Sequence, residues 1–195
     1  VGALLSALLA IELASRSPCS LSRALFAAML VAVAASNADT WAVEVGTATS
    51  TSARLITKPW IEVPAGTSGG ISLKGEAAAA LGSLAIAAIS SILYEVSVRM
   101  QALPWSAVRV SALELGIVVF LFGWLGELVD SLVGATLQGK YYCPRCGVWT
   151  ERSVHECGTR AVLRRGFRLV SNEVTNLIAT GTTSILAFCY ALLAM

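Results

Sequence analysis

Ser36-Asn37-Ala38-Asp39-Thr40-Trp41 lies inside an apolar run that extends from Arg23 to Gly46. The run exceeds the roughly 20 residues that a helix needs to cross the hydrocarbon core. A carboxylate at that depth costs about 2.5–3.5 kcal/mol on the insertion scale, so it faces a bundle interior or a polar cavity. Asp130, in Glu127-Leu128-Val129-Asp130-Ser131, has the same setting within Ala107–Leu137. These two stretches make the chain a membrane protein with buried acids.

The composition agrees. Of 195 residues, 56% are hydrophobic and 13% charged, against about 25% charged in a soluble domain. The net charge of +2 and the lack of a basic stripe with interleaved aromatics give no reason to expect nucleic acid as a partner. The expected fold is all-α: a polytopic integral membrane helical bundle forming a single membrane domain over residues 1–195. Five apolar segments are read: Val1–Ala14, Arg23–Gly46, Gly69–Val98, Ala107–Leu137 and Val170–Met195. The first is short and does not open on Met, so it reads as the truncated end of a longer N-terminal piece. Ala, Gly and Ser throughout these segments suit close helix packing in lipid.

Sidedness follows from charge. The connections Thr47–Ser68 and Gln138–Leu169 fall on one side if the segments alternate. They hold nine basic residues (Arg54, Lys58, Lys140, Arg145, Arg152, Arg160, Arg164, Arg165, Arg168) against four opposite (Arg16, Arg23, Arg99, Arg109). The long connections are therefore expected to be cytoplasmic. Asp39 lies seven residues before Gly46, roughly 10 Å of helix rise, and Asp130 lies similarly before Leu137. The acids, the loop Gly66–Gly70 and Asn172, Glu173 and Asn176 should all meet at that face.

The chemistry of these residues can be read singly. Asp39 and Asp130 offer the hard oxygens that suit magnesium, which takes one or two protein carboxylates plus phosphates and waters; Glu44, sharing a helical face with Thr40, is a third candidate ligand. Interhelical hydrogen bonding is the plainer role for each. In Val63-Pro64-Ala65-Gly66-Thr67-Ser68-Gly69-Gly70-Ile71-Ser72, glycines opening a helix expose amides that attract anions. Arg54 and Lys58 upstream could add full charges, with Thr67, Ser68 and Ser72 as hydroxyl donors. The loop is not a Walker A sequence, and a turn capped by Thr67 or Ser68 is the alternative. Asn172 and Asn176, four apart, can bind phosphate, ribose or metal-bound water, or join helices.

Cys143-Pro144-Arg145-Cys146 followed by His155-Glu156-Cys157 supplies four soft ligands, enough for a closed, structural zinc stapling the 138–169 loop. Free thiols, a disulfide and iron–sulfur ligation are the alternatives. Cys19 and Cys189 read as packing residues.

Taken together, Asn37–Gly46, Arg54-Leu55-Ile56-Thr57, Val63–Ser72, Asp130–Gln138 and Asn172-Glu173-Val174-Thr175-Asn176-Leu177 resemble the signature of an integral membrane family first catalogued as a domain of unknown function, number 92. That family includes transmembrane protein 19 and the plant and cyanobacterial phytyl-phosphate kinase. The likeness spans Ala35 to Leu177; Thr175 departs from the usual ending. It implies an enzyme that phosphorylates an isoprenoid monophosphate, of phytyl or geranylgeranyl type, to the diphosphate with CTP or another nucleoside triphosphate and Mg2+. Relatives of archaeal type often carry the Cys/His loop, although the family in general does not.

Two rival readings use fewer of these features. Buried acids alone suit an ion- or proton-coupled transporter or lipid carrier, but no inverted repeat is visible and the glycine loop would have no role. The cysteine loop alone would suit a non-enzymatic membrane scaffold.

Overall fold

The computed structural model describes residues 20–100 and 110–195. Four helices dominate: α1 (Ser20–Thr49), α2 (Leu73–Arg99), α3 (Ala112–Thr136) and α4 (Asn172–Ala194). Each is long and apolar enough to cross a membrane. These are four of the five segments expected; Val1–Ala14 lies outside the described residues.

The residues sort by size in a way that water would not select. Ala24, Ala27, Val31, Ala34, Ala35 and Ala38 of α1 are buried, while Leu81, Leu84, Ile89, Ile92 and Leu93 of α2 and Leu177, Ile185 and Leu193 of α4 are exposed. In lipid no hydrophobic force drives large side chains inward, so small residues collect where backbones approach and bulky ones face the acyl chains. The spacing 24, 27, 31, 34, 38 makes a continuous small-residue stripe, and α1 packs on all three other helices. Gly123 of α3 sits so close to α1 that an added Cβ would come 2.6 Å from Ala34 Cβ. Asn37 joins α1 to α2 by donating from Nδ2 to the Gly82 carbonyl at 2.8 Å.

The connections depart from the all-α expectation. Between α1 and α2, strands β1 (Ser52–Leu55), β2 (Lys58–Pro64) and β3 (Gly70–Ile71) form an antiparallel sheet in the order β2-β1-β3. Arg54 pairs with Glu62 on one side and Ile71 on the other. Between α3 and α4, β4 (Lys140–Cys143), β5 (Val148–Thr150) and β6 (Val162–Arg165) form a second sheet in the order β5-β4-β6. Helix α2 accordingly starts at Leu73, later than the expected Gly69, because Gly70 and Ile71 are spent on pairing with β1. Ser72 is its N-cap, accepting the Gly75 amide at 3.1 Å.

Candidate functional site

Helices α1 and α3 end, and α2 and α4 begin, at the same end of the bundle, around a cavity of about 790 Å³. Two helix starts thus offer unpaired amides and partial positive charge to it. Asp39 of α1 and Asp130 of α3 line its floor, with Glu76 and Glu127 beside them and Glu44 nearer the exposed end of α1. The acids sense one another: Glu127 interacts electrostatically with Glu76 and Asp39, and Asp130 with Asp39. Two of their oxygens, Asp130 Oδ1 and Glu127 Oε2, are buried without a hydrogen-bond partner, a costly condition unless a proton or cation satisfies them. Glu127 Oε1 accepts from Ser131 at 3.0 Å, and Glu76 Oε2 accepts the Trp124 indole N–H at 3.2 Å.

The opposing wall is the glycine loop. Gly66 and Gly69 have positive φ (81° and 77°), which only glycine adopts without cost. The Thr67 amide donates to Pro64 at 3.1 Å and the Gly70 amide to Thr67 at 2.8 Å. The amides of Gly66, Ser68 and Gly69 have no partner among the described residues. The loop is seated on α3 where Gly134 and Ala135 leave room. Ser68 donates to the buried Gln138, and Lys140 Nζ donates to the Ser68 carbonyl at 2.7 Å. Burial holds the Lys140 ammonium below its ordinary range.

The second sheet forms the rest of the rim. Tyr141, Glu151, Arg152, Ser153 and Arg168 face the cavity, as do Ser171, Asn172 and Glu173 at the start of α4. Arg152 and Arg168 are exposed and have no ion-pair partner among the described residues. An acidic floor, a wall of free amides and two unpaired guanidinium groups together suit a polyanion that arrives with cations.

At the other end of β4 and in the loop after β5, Cys143, Cys146, His155 and Cys157 bring one ligand atom each within 4.8 Å of one another. Thr159 and, next, His155 hydrogen-bond Cys157 and hold its thiol down at about 5, whereas Cys146, donating to Cys157, is pushed up to about 11.

The family model of the integral membrane protein DUF92 matches residues 1–184. The chain belongs to the DUF92 family. No solved structure matches this DUF92 protein.

The cavity gathers most of the residues the sequence pointed to: Asp39, Glu44, Asp130, Gly66, Thr67, Ser68, Gly69, Gly70, Ser72 and Asn172. Three fall away. Arg54 is exposed on β1 and gives its guanidinium to the Pro59 carbonyl at 2.9 Å. Lys58 is exposed on the adjoining strand, and Asn176 lies one turn beyond the lining. The glycine loop is also not itself a helix start; it is a turn feeding β3. Nor do Asp39, Glu44 and Asp130 form a ready-made coordination shell: among the described residues, the Cys/His group is the one set of metal-capable side chains drawn this close. In place of Arg54 and Lys58, the basic groups at the DUF92 cavity are Arg152 and Arg168.

Proposed function

We propose that this DUF92 protein is a membrane phosphotransferase that converts an isoprenoid monophosphate to its diphosphate, taking the terminal phosphoryl group of CTP or another nucleoside triphosphate. The observation that carries this reading is the meeting, in one cavity at the bundle end, of orphaned carboxylate oxygens and unpaired loop amides. Phosphoryl transfer asks chiefly for positioning and charge neutralisation, and those groups are suited to both.

In this reading Asp39 and Asp130 hold magnesium, with Glu44 able to add a ligand from the rim. The buried, unpartnered Oδ1 of Asp130 fits a cation site; magnesium takes one or two protein carboxylates and fills its shell with phosphate and water, so it does not need the acids gathered into a closed shell. Magnesium would supply neutralisation of the phosphate charge. The amides of Gly66, Ser68 and Gly69 would bind phosphate oxygens, with Arg152 and Arg168 closing over them. An oxygen of the prenyl phosphate attacks the terminal phosphorus of the nucleotide; the bond to the bridging oxygen breaks, and the nucleoside diphosphate leaves with that oxygen. The acceptor is ionised near neutral pH, so no residue need remove a proton. In this reading the prenyl tail lies among the bulky lipid-facing side chains, and the positive-inside bias supports a cavity that opens toward the cytoplasm.

The test is purified full chain in liposomes with magnesium, labelled nucleoside triphosphates and phytyl or geranylgeranyl phosphate. Labelled prenyl diphosphate is expected, falling about 100-fold or more in Asp39→Asn and Asp130→Asn while thermal stability is retained. No transfer from any nucleotide, accompanied by proton-coupled flux, would replace the enzyme with a transporter.

A further inference from the structure

We infer that Cys143, Cys146, His155 and Cys157 bind one zinc ion, and that this ion fixes residues 151–153 at the cavity rim so that Arg152 stays facing it.

The ligands come from two similar turns. In the first, Cys143 and Cys146 are followed by Gly147, whose φ is 69° and whose amide donates back to the Cys143 carbonyl at 2.9 Å. In the second, His155 and Cys157 are followed by Gly158, whose φ is 79° and whose amide donates back to the His155 carbonyl at 2.9 Å. Each left-handed glycine reverses the chain directly after a pair of ligands, which turns both pairs toward one point. The Cys143 and Cys157 sulfurs lie 3.7 Å apart. A disulfide would require about 2.05 Å. With zinc–sulfur bonds of about 2.3 Å, the edge of a tetrahedron is about 3.8 Å, so the observed separation already matches the metal geometry. Three sulfurs and an imidazole are the soft donor set that favours zinc over magnesium.

The surrounding sheet explains why a metal is needed. Val148, Trp149, Val162 and Leu163 on β5 and β6 are exposed, whereas Tyr141 and Cys143 on β4 are buried. Three short strands with so little apolar interior do not hold their shape without a staple. The segment carrying Arg152 runs between the two turns: Cys146 precedes it and His155 follows it. Both of its ends are therefore tied to the ion. Its own bonds, Arg152 amide to Thr150 Oγ1 at 3.2 Å and Ala161 amide to the Ser153 carbonyl at 2.9 Å, belong to the same small unit. The metal site stands independently of the phosphotransferase reading; that reading gives only the purpose of Arg152 at the rim.

The experiment is elemental analysis of the purified full chain, followed by amide hydrogen exchange before and after a zinc chelator. One zinc per chain is expected, falling by half or more in Cys146→Ser and His155→Ala. Chelation is expected to release the amides of Gly147, His155, Gly158 and Ala161 and to speed exchange across 148–161, leaving α1 to α4 unchanged. Iron in place of zinc, a mass showing a Cys–Cys disulfide, or exchange across 148–161 indifferent to zinc removal would overturn the inference. Chelation uses the unaltered chain, so the result does not depend on a variant folding. A zinc-loaded protein with the expected protection but no phosphoryl transfer would count against the enzyme alone.

Discussion

Consider Gly69→Ala. The residue sits at φ 77°, where an L side chain costs about 1–2 kcal/mol. An added Cβ would also come 2.6 Å from Ala135 Cα and 2.7 Å from Ala135 N. Both atoms belong to the backbone of α3, which cannot swing aside as a flexible side chain would. Forcing the loop off that helix is overpacking, worth about 1–3 kcal/mol, for a total of about 2–5 kcal/mol. Two other glycines separate the contributions. Gly66→Ala meets the same backbone cost at φ 81° but a movable neighbour, Thr47 Cγ2 at 3.2 Å; Gly158→Ala, at φ 79°, meets nothing within 4 Å. Each should lose about 1–2 kcal/mol. Thermal unfolding of the three variants in one detergent reads the order directly. If Gly69→Ala is no less stable than Gly158→Ala, the seating of the glycine loop against α3 is wrong, and the cavity wall with it.

The cavity and the lipid face yield two further expectations. Arg152→Ala and Arg168→Ala should each weaken nucleotide binding about tenfold by removing a charge-assisted contact, whereas Arg54→Ala should stay within about twofold because its guanidinium is spent on Pro59; isothermal titration compares all three. Gly181→Ala should raise thermal stability by up to about 1 kcal/mol, since Gly181 is helical with open space around its Cβ position and alanine is the better helix former.

The bundle was legible because its signal is long. Apolar segments of membrane length and the alternation they impose are enough to put Asp39, Asp130, the glycine loop and Asn172 at one end. The two sheets were not legible: β3 has two residues and β5 three, too few for an alternating pattern. Proximity in sequence also misdirected the choice of basic groups. Arg54 lies near the glycine loop along the chain, but its strand turns the guanidinium toward Pro59. Arg152 and Arg168 stand among many arginines, and which of them reach the cavity depends on how the second sheet folds. Glu76 had a usable signal: it is an acid in the first turn of an otherwise apolar helix, at the end where the other acids gather.

Because the start of α4 and the residues just before it supply one side of the cavity, the pocket is not complete until that helix has been synthesised and inserted. During biogenesis the acids on α1 and α3 therefore face an open trough, and the nascent protein has nowhere to retain a charged guest. Closure by α4 makes maturation of the site a single event that follows insertion of α3, so a chain stalled or clipped ahead of Arg168 would hold the acids of α1 and α3 with that side of the cavity missing.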